Sequence, residues 1–142
     1  FDDDDSLVTP TDYDPELWEH VKTLVQRKEW DMIPAQVSIF VESKIREWAN
    51  TPTDKNDQRL VGKSLMAKVF GENGQLRLGS QSNETEGWRS LAIGFTQAIS
   101  NAVRHGVSER DDARQYAIGV LGLASLLFTE VRHEYGDTLT EK

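Results

Sequence analysis

The segment Ile99-Ser100-Asn101-Ala102-Val103-Arg104-His105-Gly106 holds side chains whose types and spacing could do chemistry. On a helix, Asn101 and His105 stand four apart and share a face, and Arg104 stands four after Ser100. A polar cluster of Ser100, Asn101, Arg104 and His105 therefore gathers at the end of a largely apolar stretch. A histidine can handle a proton near neutral pH. A neighbouring cation can hold a phosphate and offset the charge that develops on it. The same residues also make an ordinary helix end, with cations in the last turn before a capping glycine. The residues alone favour the ordinary helix end.

Other chemistries lack their residues. The 142-residue chain has no cysteine, so thiolate metal sites and disulfides are excluded. His20, His105 and His133 are too few for a multi-histidine metal centre, and no cofactor or metal is called for. There is no phosphate-binding loop, nucleophile elbow, zinc-protease helix or dinucleotide fingerprint. Gly71 to Gly74 is glycine-rich but follows no strand, and reads as a helix cap and turn. The formal charge is −8, which argues against a basic nucleic-acid coat or a polybasic membrane patch, though not against a small basic site. Asp2 to Asp5 contribute half of that charge. They make residues 1–13 read as an acidic disordered tail or linker, too self-repelling to bury much. The chain opens without a basic segment and apolar run, so a secretory signal is not expected and a cytoplasmic protein is. The missing initiator Met suggests a piece of something longer, a carboxy-terminal module.

The remaining residues, 14–142, read as one helical domain. This size buries roughly two-thirds of its unfolded surface, enough for a core without staples. Asp14-Pro15-Glu16 opens a first helix of about 15–29, with an N-cap acid and a first-turn proline. Apolar residues three and four apart give a second helix from Met32 to Asn50, with Pro34 in its first turn. A third runs from Leu60 to Phe70. Gly71 to Gly79 reads as a turn or short extended piece, and Gln81 to Asn83 as loop. A fourth helix opens at Glu84 or Thr85 and ends at Arg104-His105-Gly106. Ser108 caps a fifth, which runs to about Tyr135, before Gly136. Its middle, Tyr116 to Phe128, is apolar or small on every side, which predicts the most buried helix. Its small residues Ala113, Ala117, Gly119, Gly122 and Ala124 are expected to admit a neighbouring backbone. The fold class is all-α, an antiparallel bundle of four to five helices.

Outside the cluster, simple roles suffice. Trp18, Trp30, Trp48 and Trp88 read as core or interface anchors. His20 and His133 read as surface helix residues. Arg110 and Arg114 could contact phosphate near His105, or pair with Glu109, Asp111 and Asp112. Arg89, at the start of a helix where a cation is unfavourable, calls for a partner such as Glu86.

The stretch from Glu84 to Gly106 resembles the signature of the Ymh-type prokaryotic conserved hypothetical proteins. It has acids and a glycine at Glu84 to Gly87, an apolar helix with internal Gly94, and a polar ending that in the family reads Ile-Arg-Asn-Pro-x-Ala-His. That group is similar to the HEPN superfamily of helical bundles, and the resemblance extends over residues 15–135. It implies a homodimer with the motif near the dimer cleft. It also implies either a metal-independent ribonuclease of toxin–antitoxin, phage-defence and CRISPR-associated systems or a non-catalytic RNA- or partner-binding domain. By position, His105 matches the motif histidine and Asn101 the polar residue after the arginine. Ser100 stands where the motif has its arginine, and Ala102 replaces the proline.

The serine matters mechanically, because a hydroxyl has no charge and no bidentate fork. Three readings follow. The chain is an RNA-cleaving effector using His105 and Asn101, with Arg104 as a relocated phosphate clamp. Or it is a non-catalytic or weakened RNA-related module, attached to a further domain or an antitoxin partner. Or it is a plain helical protein-interaction domain. The missing arginine and the acidic body favour the second. None of the three involves a membrane.

Overall fold

A computed structural model of the chain describes residues 8–100 and 110–140. Those residues are all-helical, as their periodicity predicts. The helices are α1 (Pro15–Gln26), α2 (Ile33–Trp48), α3 (Gly62–Val69), α4 (Ser82–Phe95) and α5 (Ala113–Thr140). Short 3-10 turns precede α1 (Pro10–Asp12) and α2 (Trp30–Met32). A π-helical turn, Thr96–Ser100, continues α4.

Helix α2 is the centre of the bundle. It packs against α1, α5 and the π turn, while α3 packs on α4. Its buried stripe of Ile33, Val37, Val41, Ile45 and Trp48 follows helical spacing. This stripe meets Leu17 and Val21 of α1 and Leu121, Phe128 and Val131 of α5 in one core. Phe128 is fully buried and packs edge-on against Trp48, with ring centroids 5.1 Å apart. Of the four tryptophans, Trp48 is buried, and Trp18, Trp30 and Trp88 pack partly buried against the core.

Asp14 caps α1 as expected, accepting from the Leu17 amide at 3.2 Å. Its buried carboxylate also takes both Nε and Nη2 of Arg132 from α5, at 2.5 and 3.1 Å. The start of the first helix is thereby tied to the far end of the last one. Residues 8–13, read from sequence as part of a tail, carry a 3-10 turn, and Val8 and Tyr13 pack against the core. Residues 1–7 lie outside the described residues.

Several expected boundaries move. Helix α4 starts at Ser82, so Ser82 and Asn83 are helix and not loop. A capping box explains the shift: Gln81 caps the N3 amide, and Glu84 reaches back to the amides of Ser80 and Gln81. Helix α5 runs past Gly136 to Thr140, because buried Leu139 gives the last turn something to pack on. The expectation for Tyr116 to Phe128 is half corrected. Ala117 and Ala124 do face the core. Gly119 and Gly122 are exposed, with nothing within 4 Å of where a Cβ would stand, and Leu126 is half exposed. The helix packs on α2, the Trp30–Met32 turn and α4, and its two glycines point away from them, so they admit no neighbouring backbone among the described residues.

The Gly71–Gly79 segment is a turn with no strand. Its Leu76 and Leu78 plug the core, and the Leu76 amide donates to the Val69 carbonyl at 3.0 Å. Gly74 is required there: a Cβ would stand 2.1 Å from the Val69 carbonyl oxygen. No described helix is long and apolar enough to cross a membrane.

Candidate functional site: a cleft between the second helix and the end of the fourth

Ser100 is the one member of the polar cluster within the described residues. Asn101, Arg104 and His105 lie outside them, as do Ser108 and the expected end of the fourth helix. Ser100 closes the π turn and is half-buried. Its hydroxyl shares a short hydrogen bond with that of Ser38, a buried residue of α2. A cleft of about 390 Å³ opens at this contact. Its α2 wall is Ala35, Ser38, Ile39, Glu42, Ser43 and Arg46, positions three and four apart that share one helix face. Arg59 and Ser100 complete the lining.

The two arginines are held differently. Arg46 places Nη2 2.6 Å from Glu42 Oε2, one turn back on the same helix, and its Nε donates to the Leu60 carbonyl at 3.4 Å. Arg59 is exposed and makes no ion pair with another described residue. Its backbone is nonetheless fixed, by an antiparallel bridge to Thr53 and by the Leu60 amide donating to Pro52 at 3.0 Å. Inside this small loop, Asp54 Oδ1 accepts from the amides of Asn56 and Gln58 at 2.8 and 3.0 Å. The loop departs from α2 through a Schellman ending, in which Thr51 N donates to Arg46 O and Asn50 N to Glu47 O. Thr51 takes φ +51° there, a left-handed conformation costly for a β-branched residue. Ser43, Arg46, Glu47, Asn50, Thr51 and Arg59 line a second groove that continues the cleft.

Chemically, the cleft pairs hydroxyls and a guanidinium with an apolar wall of Ala35 and Ile39. It supplies donors for oxygen acceptors and contains no general base among the described residues apart from Glu42, which Arg46 occupies. Ser38, Arg46 and Arg59 carry no local motif in the sequence. Only the Glu42–Arg46 spacing signals a pair, and nothing local connects Arg59 to Ser100, 41 positions later.

The arginines proposed as phosphate contacts do not line this cleft. Arg110 grips Asp112 with two hydrogen bonds, at 2.8 and 3.1 Å, and stacks over Tyr116. That grip holds the Asp112 carboxyl below its usual range. Arg114 lies over the Trp30 ring, 5.4 Å from its centroid. Arg89 finds Glu86 at 3.6 Å and the Ala67 carbonyl at 3.1 Å. His20 and His133 are exposed, His20 stacking on Phe40 at 4.6 Å.

Residues 11–131 match the family model described as a protein of unknown function, Hypoth_Ymh. The chain belongs to the Hypoth_Ymh family. No curated protein matches it, and no solved structure does. The match takes in every described helix up to α5, and with them the whole Ser100 cleft.

Proposed function

We propose that this Hypoth_Ymh chain is a HEPN-like, homodimeric helical module that binds RNA and cleaves it weakly or not at all. Its setting is a prokaryotic defence or toxin–antitoxin protein. The observation that carries the reading is Ser100. At the position where the resembled motif has its arginine stands a hydroxyl already engaged by Ser38, at the edge of a cleft large enough for a nucleotide. A site that keeps its histidine and loses its cation retains a proton-handling group without the charge that stabilises a reacting phosphate. Losing one such stabilising donor costs about 10²–10³ in rate.

The test is a labelled single-stranded RNA incubated in the presence of a chelator with wild type, His105→Ala and Ser100→Arg. Wild type is expected to retain RNA in a binding assay with little cleavage. Ser100→Arg is expected to raise cleavage by up to about 10²-fold, and His105→Ala to abolish that gain. Absence of RNA binding at low salt would overturn the proposal. Rapid metal-independent cleavage by wild type that disappears in His105→Ala would replace it with the active ribonuclease. Sedimentation that finds only monomer would remove the dimeric part.

A further inference from the structure

The cation missing at position 100 has a counterpart elsewhere in the same cleft. We infer that Arg59, presented by the loop between α2 and α3, is the residue that takes a phosphate oxygen here, with Ser38, Ser43 and Ser100 contributing hydroxyls. The inference rests on the RNA-related reading of this cleft and goes beyond it by naming a residue that no motif includes.

Glu42 and Arg46 neutralise each other at 2.6 Å, which leaves Arg59 as the uncompensated charge among the described residues of the lining. A guanidinium is a planar fork suited to two phosphate oxygens, and it stays charged at every relevant pH. The loop is ordered before any ligand arrives, by the Thr53–Arg59 bridge and the Asp54 turn, so little ordering cost falls on binding. The same α2 wall gives the ligand its second half. Ile39, 61 % exposed, is the most exposed large hydrophobic side chain among the described residues, and it lies in this cleft beside Ala35. An anion alone would leave that wall bare; a phosphate carrying a sugar and base would cover it. The ligand class is therefore a nucleoside phosphate, either free or as one unit of a single strand.

Binding of uridine monophosphate and of a short oligouridylate is measured for wild type, Arg59→Ala and Arg59→Lys. Arg59→Ala is expected to weaken oligouridylate binding roughly 10- to 100-fold, the range for losing a charged hydrogen bond. It should also lower the salt slope by about 0.7, the value for one single-strand phosphate contact. Arg59→Lys should recover part of the affinity, as a charge without the fork. Because the side chain is exposed, thermal melting should be the same in all three proteins. Wild-type affinity in Arg59→Ala overturns this inference and leaves RNA binding intact. Arg59-dependent binding of the monophosphate without binding of the strand keeps the inference and removes the RNA reading. Binding of neither probe overturns it outright.

Discussion

Asp14 does two jobs with one side chain. It caps α1, accepts a bidentate grip from Arg132, and is almost fully buried while doing so; its own amide donates to Ser125 at 2.5 Å. Loss of a cap costs about 0.5–2 kcal/mol. Breaking a fully buried ion pair costs about 3–5 kcal/mol. Arg132 is partly exposed and keeps Glu16 at 2.6 Å, so the second figure applies only in part. Asp14→Ala is expected to lose about 2–3 kcal/mol, read as a fall in the denaturation midpoint with an unchanged slope. Asp14→Asn should fall between, because the amide still caps but no longer pairs. The N-cap was visible in the sequence at Asp14-Pro15-Glu16. The Arg132 contact was not, since 118 positions separate the partners.

At the scale of elements, the glycines give opposite predictions. Gly119 and Gly122 face open space within α5, so a methyl group there meets nothing. Alanine at either position should stabilise by about 0.5–1 kcal/mol through helix propensity. Gly74→Ala should destabilise by about 2 kcal/mol or more, because the methyl collides with the Val69 carbonyl oxygen. Melting temperatures of the three single variants check this, and a destabilising Gly122→Ala would show that something covers that face. The same elements show what periodicity can and cannot reveal. Apolar residues three and four apart located α1, α2 and α3 to within a few residues, because burial on one side imposes that spacing. Periodicity could not tell that Gly119 and Gly122 face outward, since a glycine is compatible with either side. Nor could it show the capping box, where Gln81 and Glu84 act through side-chain hydrogen bonds. Of the site, Ser100 was legible as a departure from a motif, while Ser38 and Arg59 reach it only through tertiary packing.

For the molecule as a whole, carboxylates set the acid limit. Hydrogen bonds from Arg132 and Lys44 hold the Glu16 carboxyl below its usual value. The amide and hydroxyl of Ser80, with the Gln81 amide, do the same for Glu84. A carboxyl depressed in the folded state takes up its proton at higher pH when unfolded, so acid favours unfolding. The contribution is complete above the usual carboxylate range, about pH 4–5, and is lost as pH falls through the folded values. Melting temperature is expected to hold steady from neutrality to about pH 5 and to drop below it, with a shallower acid limb in Glu16→Gln. At the other end, burial and the Glu134 charge raise the Tyr135 hydroxyl, which donates to the Arg77 carbonyl at 2.5 Å. That contribution is present below the usual tyrosine value, about 10, and fades as pH rises past it.

The π turn at Thr96–Ser100 sets the phase of the site. A π turn accommodates one residue more than an α-helix does in the same rise, which amounts to a rotation of about 100°. Ser100 meets Ser38 in that rotated register. A one-residue deletion within Thr96–Ile99 that restored α geometry would swing Ser100 away from Ser38 and the cleft, with the α2 side chains of the wall still in place. The helix therefore works as an indexing device: its residue count, as much as its residue types, decides which side chain the cleft receives.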